Sequence, residues 1–333
     1  MAHTPLTIQT ATMSIQAHTR LKPHLSPTPL LPSRQTPTLL FKCENFQKTS
    51  SFKIRGAMNK ILLSPPGTKL ITASSGNHGI GAACAARILG REGDLTVVLP
   101  RSVVPVKKKA VEGYGVKVLL WGSETGAAER YARGLAGSEL EESEGEYTYI
   151  SPYNDEQIVA GQGTIALEVL EQCGGLNVDS VFVVMGGGGL VSGIGAVAKV
   201  VTGFTRMRTK VYGVAASQSK ALAEAMSLGR VVDVPHGTTL ADAVAGGIDV
   251  DTITLPLAVD VVDEMVECDE DEIKDALRIL AWDENMIVEG SAALAFAVLR
   301  KVAKARGPAL DGKTSVVLCG ANYDRDILQG VLC

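Results

Sequence analysis

The sequence predicts an α/β protein in which mainly parallel sheets are covered by helices. Short runs rich in β-branched residues alternate with longer helical patterns along most of the chain, which is typical of βαβ units. Residues 181–184 are apolar at every position, as a strand covered on both faces requires. The 333 residues, 46% of them hydrophobic, suffice for about two domains and exclude a disordered or collagen-like chain.

The order of elements follows from this alternation. A Pro-rich stretch between Pro23 and Pro37 is expected to form an irregular arm before the first strand, and the acidic segment 137–146 to form an exposed loop or boundary. The expected strands are 39–43, 69–72, 95–99, 116–121, 180–185, 210–214 and 314–319. The clearest expected helices are 77–89, 125–135, 156–172 and 292–304.

Charge and cysteine usage exclude several classes of function. A net charge of −4, no long basic run and an aromatic fraction of 5% argue against a nucleic-acid partner. Six cysteines without CxxC spacing indicate neither a zinc site nor a disulfide framework, and the N-terminus lacks the features of a secretory signal. We therefore expect a cytoplasmic protein in a reducing compartment.

One segment has nearly the length of a membrane helix. Residues 180–198 are 19 consecutive positions without charge. Four consecutive glycines in the middle would break a helix at high cost. A strand, a glycine loop and a small-residue helix fit better, so we expect no membrane partner.

Two loops after predicted strands have the composition of anion sites. Ser74-Ser75-Gly76-Asn77-His78 leads into a helix, where backbone N–H groups and hydroxyls can bind a carboxylate or phosphate, although an ordinary helix cap explains the same residues. Gly186-Gly187-Gly188-Gly189-Leu190 offers exposed amides at a helix start. It lacks the Lys-Ser/Thr pair of a nucleotide loop and fits GxGxxG poorly, which favours the phosphate of a small cofactor; a tight packing turn is the alternative.

Lys53 lies between Phe52 and Ile54 near an expected helix start that Thr49, Ser50 or Ser51 can cap. The helix dipole disfavours a cation there, and an inward orientation would lower the pKa of the amine further, as a Schiff-base lysine requires. A solvated lysine on the outer face remains the alternative. Cys319, at the end of the last strand, is by itself most simply a small core residue.

Four segments occur in a characteristic order: Phe-Gln-Lys-Thr-Ser-Ser-Phe-Lys-Ile-Arg-Gly-Ala at 46–57, Ser-Ser-Gly-Asn-His-Gly at 74–79, Ala-Gly-Gln-Gly-Thr-Ile-Ala-Leu-Glu at 160–168 and Gly-Gly-Gly-Gly-Leu at 186–190. With them the chain resembles the pyridoxal-phosphate enzymes of the serine/threonine dehydratase and serine racemase family, which have the tryptophan-synthase-β-like fold, fold type II. The resemblance implies pyridoxal 5'-phosphate as cofactor and a homodimer. It also implies a large cofactor-binding domain made of 1–65 and 148–333 and a small domain, 66–147, that closes over the substrate.

The resemblance also implies a role for each site residue. Lys53 would form the Schiff base and later act as the base at the substrate Cα, and Phe52 would pack against the cofactor. Asn77 would form a hydrogen bond with the ring hydroxyl of the cofactor. The phosphate would be bound by the amides of Gly186, Gly187, Gly188, Gly189 and Leu190, and the substrate carboxylate by the loop of Ser74, Ser75, Gly76, Asn77 and His78.

Cys319 stands where the family usually has serine beside the pyridine nitrogen. A neutral thiol makes the ring a weaker electron sink than an aspartate would, which favours loss of a β-leaving group. Ser75 matches the serine that supplies the second proton in the racemase branch, so racemisation stays open.

The chain departs from the family in two places. Racemase-like relatives bind a divalent cation through an acidic residue just after the strand near Val214, but residues 214–217 read Val-Ala-Ala-Ser, so we assign no metal ligand. The family's Ala-Asp-Gly is Ala241-Asp242-Ala243 here, and the added methyl group either narrows the pocket or is absorbed by a shifted loop.

We therefore predict a lyase that deaminates a β-hydroxy-α-amino acid such as L-serine or L-threonine to a 2-oxo acid and ammonia. The alternatives are an amino-acid racemase that uses Lys53 and Ser75 as paired acid and base, a β-replacement enzyme, which the sequence around Lys53 disfavours, and a non-catalytic pyridoxal-phosphate-binding regulatory protein.

Overall fold

The structure, a computed structural model, describes residues 3–137, 147–174, 178–202, 208–306 and 312–333. Most of the loop predicted at 137–146 therefore lies outside the described residues. The strands are Leu30–Pro32 (β1), Leu39–Lys42 (β2), Leu70–Ala73 (β3), Leu95–Leu99 (β4), Lys117–Leu120 (β5), Thr148–Tyr149 (β6), Ser180–Val184 (β7), Lys210–Ala216 (β8), Glu264–Cys268 (β9) and Thr314–Val317 (β10).

The helices alternate with these strands, and two short 3₁₀ turns, Glu44–Phe46 and Asp242–Val244, lie beside the predicted site segments. The α-helices are Pro5–Leu21 (α1), Lys53–Leu63 (α2), Asn77–Ile88 (α3), Pro105–Glu112 (α4), Thr125–Leu135 (α5), Glu156–Gln172 (α6), Gly189–Thr202 (α7), Ala221–Leu228 (α8), Thr254–Val261 (α9), Glu270–Trp282 (α10), Gly290–Arg306 (α11) and Arg325–Leu332 (α12).

The strands form two sheets. The larger has the order β1-β2-β10-β7-β8-β9 and the smaller the order β5-β4-β3-β6. Each pairing between these strands is parallel except that of β1 with β2. The predicted α/β class with mainly parallel sheets is thereby confirmed, and each of the seven predicted strands is present within a few residues of its expected position.

The Pro-rich arm is partly wrong as a prediction, because Leu30–Pro32 forms an antiparallel edge strand. Pro32 is tolerated there because an edge strand has one side without ladder hydrogen bonds. The segment predicted as a strand, loop and helix at 180–198 has that structure, with β7 followed by the glycine loop and α7. Among the described residues no helix has the length and apolar character needed to cross a membrane.

Helix α1 was not predicted, and its buried face explains why. Apart from Leu21 in its last turn, that face carries small residues: Thr7, Thr10, Ala11, Ser14 and Ala17. Small side chains allow α1 to pack closely on α6 and α7, and the Thr4 hydroxyl caps the helix by accepting from the Thr7 N–H at 3.3 Å. A small-residue face of this kind gives little hydrophobic periodicity in the sequence.

The start of α2 differs from the predicted capped helix. Phe52 occupies the N-cap position, and no side chain caps the helix. The segment before it binds instead to the loop after β10: the Phe52 N–H donates to the Cys319 carbonyl at 3.1 Å, and the Ala321 N–H donates to the Ser50 carbonyl at 2.8 Å. These bonds hold Lys53 and Cys319 on neighbouring segments.

A buried ionic cluster joins α2 to the larger sheet and to α6. The Arg55 guanidinium donates to both carboxylate oxygens of Glu44, at 2.8 Å each, and to both of Glu168, at 2.6 and 2.8 Å. Lys42 adds a second buried ammonium, 2.6 Å from Glu168. Gly56 and Gly161 let the two helices approach, since a Cβ at Gly161 would lie 2.6 Å from the Gly56 Cα. Helix α2, which begins at Lys53, is therefore held firmly against α6.

Candidate active site

Two adjoining hollows between the sheets contain every residue predicted for the site. The inner one is lined by Phe52, Lys53, Asn77, Gly186, Gly187, Gly188, Gly189, Leu190 and Cys319. The outer one, a cleft of about 730 Å³, is lined by Lys53, Ser74, Ser75, Gly76, Asn77 and His78. Lys53, Asn77 and Ala243 line both, so the two hollows meet at these residues.

Lys53, the first residue of α2, points its amine into the place where the hollows meet. The Nζ atom donates to the Pro152 carbonyl at 2.8 Å and lies 5.2 Å from the centre of the Phe52 ring. Burial lowers the pKa of the amine to about 8, although the nearby Cys319 and Glu289 raise it. With this pKa about a tenth of the amine is neutral at pH 7, far more than for an ordinary lysine, and the amine is chemically suited to form an imine.

The glycine loop combines close packing with free amides. A Cβ at Gly187 would lie 2.3 Å from the Tyr153 ring, and Gly188 adopts a φ of +88°. Close packing of the turn therefore explains why these positions are glycine. At the same time, the first turn of α7 leaves N–H groups without intrahelical acceptors, and these belong to Gly189 and Leu190 at the inner hollow.

The loop at 74–78 lies between β3 and α3 at the floor of the cleft. Gly76 is the N-cap residue of α3, and its N–H donates to the Ser74 hydroxyl at 3.2 Å. Gly79 packs so closely that a Cβ would lie 1.9 Å from the Ser74 carbonyl oxygen. The helix start thus presents the N–H groups of its first turn, the positive end of the helix dipole, to the cleft.

His78 is 3% exposed and turns its Nε2 atom away from solvent, toward the Thr72 hydroxyl and the Ile150 carbonyl, both at 3.0 Å. Burial, together with the nearby charge of Lys53, lowers the pKa of the imidazole to about 3. The ring is therefore neutral, and an Nε2–H tautomer satisfies the Ile150 carbonyl.

Cys319 is 2% exposed at the end of the inner hollow. Burial raises the pKa of its thiol well above the ordinary value, and the carboxylate of Glu289 raises it further. The group at this position is a neutral thiol at physiological pH.

Glu289, which the sequence analysis did not single out, lies between Asn77 and Cys319. Its Oε1 and Oε2 atoms accept from the Asn77 Nδ2 at 3.0 and 3.1 Å, and Oε2 accepts from the Asn322 N–H at 2.9 Å. The Cys319 Sγ is 3.9 Å from Oε1. No motif surrounds this residue in the sequence, because its role depends on contacts between three distant segments.

Asn77 has both ends of its amide engaged. Its Nδ2 donates to Glu289, and its Oδ1 accepts from the Asn322 Nδ2 at 2.7 Å.

Ala243, the departure from the family's glycine, lies on the wall of both hollows, and its N–H donates to the Ser291 hydroxyl at 3.1 Å. Among the described residues no group of three or more His, Cys, Asp or Glu side chains is placed to hold a metal ion.

These residues fit pyridoxal phosphate. The group needs an amine for its aldehyde, N–H groups for its phosphate and polar partners at the ring edge, and Lys53, the start of α7 and the Asn77 and Cys319 side chains offer these within one hollow. The observation that supports the fit is a glycine loop that lines a cavity beside a half-buried lysine of lowered pKa.

Comparison with known proteins agrees with a pyridoxal-phosphate site. Residues 21–320 match the protein family described as pyridoxal-phosphate dependent enzyme. The L-threonine ammonia-lyase of Geobacter sulfurreducens is 36% identical over 327 residues, which cover 94% of this chain and 75% of that protein. The catabolic L-threonine dehydratase of Staphylococcus aureus is 34% identical over 330 residues, covering 95% and 90%.

Solved structures of related enzymes have the same fold as this chain. The threonine deaminase of T.th. superposes with a TM-score of 0.80 at 32% identity, covering 94% of this chain and 98% of that one. Maize serine racemase gives a TM-score of 0.84 at 27% identity, covering 96% and 95%. The predicted type II fold, family and cofactor are confirmed, and the chain belongs to the family of pyridoxal-phosphate dependent enzymes.

Proposed function

We propose that the protein is an ammonia-lyase that converts L-threonine or L-serine to a 2-oxo acid and ammonia by β-elimination. The names of the relatives, L-threonine ammonia-lyase and L-threonine dehydratase, support this reaction class. The observation that carries the proposal is the meeting of the Lys53 amine, the glycine loop and the 74–78 loop at one cleft.

The bound cofactor supplies an electron sink that stabilises negative charge at the substrate Cα. Lys53 would hold the cofactor and would then take the proton from Cα. A base whose pKa is about 8 is well matched to proton transfer near neutral pH. Gly189 and Leu190 would bind the phosphate through their N–H groups, and Phe52 would pack on the ring.

The substrate carboxylate would bind at the start of α3, where the N–H groups of Asn77 and His78 lie at the positive end of the helix, next to the Gly76 N–H that donates to the Ser74 hydroxyl. The neutral His78 side chain adds no cation there. Specificity for the carboxylate would therefore come from backbone amides, with the Ser74 and Ser75 hydroxyls beside them.

A substrate panel tests the proposal. L-threonine, L-serine, hydroxyaspartate and phenylserine are supplied to the loaded enzyme, and release of the 2-oxo acid is measured. We expect turnover of at least one substrate and its loss in Lys53→Ala. Lys48→Ala, which alters an exposed lysine five positions earlier, is the matched control and should keep the activity. Bound cofactor without turnover of any substrate would instead support the non-catalytic binding protein.

Racemisation is a second candidate because Ser75 and Lys53 line the same cleft and because maize serine racemase has the same fold. If Lys53 and Ser75 act as a pair, Ser75→Ala should abolish formation of D-serine from L-serine and spare pyruvate release. An excess of D-serine over pyruvate in the unmodified enzyme would overturn the lyase proposal.

We further propose that residues 66–147 form the small domain that closes over the substrate and excludes water, and that the enzyme is a cytoplasmic homodimer. Three of the four strands of the smaller sheet, β3 to β5, lie within 66–147, and β6 follows directly at 148–149. All six cysteines are free thiols, which suits a reducing compartment. Sedimentation should give twice the chain mass of 35.0 kDa; a species of single chain mass would contradict the dimer.

A further inference from the structure

Glu289 is a buried carboxylate for which the proposed reaction has so far given no role. It is 1% exposed and directly precedes α11. Burying a carboxylate is costly unless its oxygens find donors. Here the donors are the Asn77 Nδ2, the Asn322 N–H and, at 3.9 Å, the Cys319 Sγ.

Two of these donors are the side chains assigned to the cofactor ring. Asn77 is assigned to the ring hydroxyl and Cys319 to the ring nitrogen, and both line the inner hollow together with Glu289. One carboxylate therefore contacts both ring partners. No other described side chain has hydrogen bonds to both.

The contacts also fix how the Asn77 amide is turned. Burial raises the pKa of Glu289 to about 7, and above that pH the ionised carboxylate only accepts hydrogen bonds. It then selects the Nδ2 end of the Asn77 amide, and Asn322 donates to the Oδ1 end at 2.7 Å. An amide nitrogen carries two hydrogens. With one shared between the two carboxylate oxygens, the other remains for an acceptor in the hollow.

The carboxylate itself has little freedom. A Cβ on Gly320 would lie 2.7 Å from its Cδ and from both of its oxygens, and the Glu289 N–H donates to the Gly320 carbonyl at 3.1 Å. Its position is thus set by the backbone after β10, the same segment that carries Cys319.

We propose that Glu289 is a positioning residue that orients the Asn77 amide and the Cys319 thiol toward the cofactor ring. The proposal rests on the placement of the ring between these two side chains given under the proposed function. It requires no substrate, so it can be tested whether or not the lyase reaction is correct.

The test measures binding of pyridoxal phosphate to the cofactor-free protein and the visible circular dichroism of the bound cofactor, which reports how its ring is held. We expect Glu289→Gln to weaken binding about ten-fold, as loss of a charge-assisted hydrogen bond predicts, and to change the dichroism. Glu289→Asp should recover part of both.

Glu284→Gln is the matched control. Glu284 is 5% exposed, lies five positions earlier and accepts from the Arg34 N–H at 2.8 Å and the Ser33 hydroxyl at 2.6 Å, away from both hollows. Its substitution should leave cofactor affinity and dichroism unchanged. Equal losses in the two variants would mean that Glu289 acts through general stability, and would overturn the proposal.

A double-mutant cycle separates positioning from packing. In an Asn77→Ala background, Glu289→Gln should cost much less affinity than it does alone, because its partner is missing. Additive losses, or wild-type affinity and dichroism in Glu289→Gln, would also overturn the proposal.

If Glu289→Gln does not fold, Asn322→Ala provides a second test. This variant removes the donor to the Asn77 Oδ1 and should give a smaller loss of affinity for the cofactor. Unchanged affinity in Asn322→Ala would contradict the proposed orientation of the Asn77 amide.

Discussion

His78 is a site residue whose protonation state depends strongly on the fold. Its ring is enclosed at the start of α3, and burial lowers the pKa from 6.5 to about 3. Between these two pH values the unfolded chain binds a proton that the folded chain does not. This residue therefore stabilises the fold at neutral pH, and its contribution is lost as the pH falls from about 6.5 toward 3.

Acid unfolding measures this effect. We expect the free energy of unfolding of the unmodified protein to fall with decreasing pH more steeply than that of His78→Gln, by up to about 1.4 kcal/mol per pH unit below about pH 6.5. Urea unfolding of both proteins at several pH values between about 4 and 7 gives the comparison. Parallel curves would show that His78 is protonated in the folded state.

The sequence analysis identified the site residues that lie within motifs. It missed Glu289, whose role depends only on the contacts it makes in the fold. Lys53, Asn77 and the glycine loop belong to sequence motifs of the family. Glu289 stands alone between Val288 and Gly290. Its burial and its contacts with Asn77 and Asn322 depend on the pairing of β10 with β2 and β7, which no local pattern encodes.

At the scale of elements, the buried ionic cluster has the clearest energetic consequence. Arg55 is 1% exposed, and Glu44 and Glu168 lie against it with 0% and 4% exposure. The ionic partners raise the pKa of the guanidinium against the opposing effect of burial. Removing one member of such a cluster leaves buried charge without compensation.

Arg55→Met should therefore lower the free energy of unfolding by about 3–5 kcal/mol. Arg87→Met is the comparison, because the ion pair of Arg87 with Glu92 is exposed and should contribute less than about 1 kcal/mol. Chemical denaturation of the two variants checks both values. A loss below about 1 kcal/mol for Arg55→Met would indicate that the carboxylates are protonated or hydrated.

Elements with strong apolar patterns were predictable, whereas three of the four strands at the sheet edges, β1, β6 and β9, were not. Strands β4 and β7 are buried at every position, and both were predicted. Strand β9 is half-buried at four of its five positions, with Glu264 and Glu267 in it, and β6 has only two residues. These edge strands exist because a neighbouring strand offers them hydrogen-bonding partners.

At the scale of the whole molecule, the two sheets are linked near Asp249. The Arg133 side chain of α5, which packs on β3, donates to both carboxylate oxygens of Asp249 at 2.9 and 3.0 Å. Asn154 donates to the same carboxylate at 2.9 Å, and the Asp249 N–H donates to the Tyr153 hydroxyl at 2.7 Å. Tyr153 in turn packs on the glycine loop.

We expect Asp249→Asn to loosen this link. Hydrogen–deuterium exchange should become faster in α5, while β7 and β8 keep their protection, because only the contact between the sheets is weakened. Asp271→Asn, which alters an exposed pair with Lys274, is the control and should leave exchange in α5 unchanged. Uniformly faster exchange after Asp249→Asn would point to global destabilisation.

The hydrogen bond from Lys53 to the Pro152 carbonyl has a consequence for how the enzyme responds to its surroundings. Pro152 lies on the stretch through which the chain returns from β6 to α6, so its position follows the orientation of the smaller sheet. Suppose that the orientation of the smaller sheet changes the pKa of the Lys53 amine. Linkage then requires that protonation of this amine change the orientation of the sheet by an equal free energy. If the proposed closure of the small domain over the substrate is correct, acidity and ligand occupancy act on one equilibrium, and titrating the cofactor-free enzyme should shift the same balance between open and closed forms as the substrate.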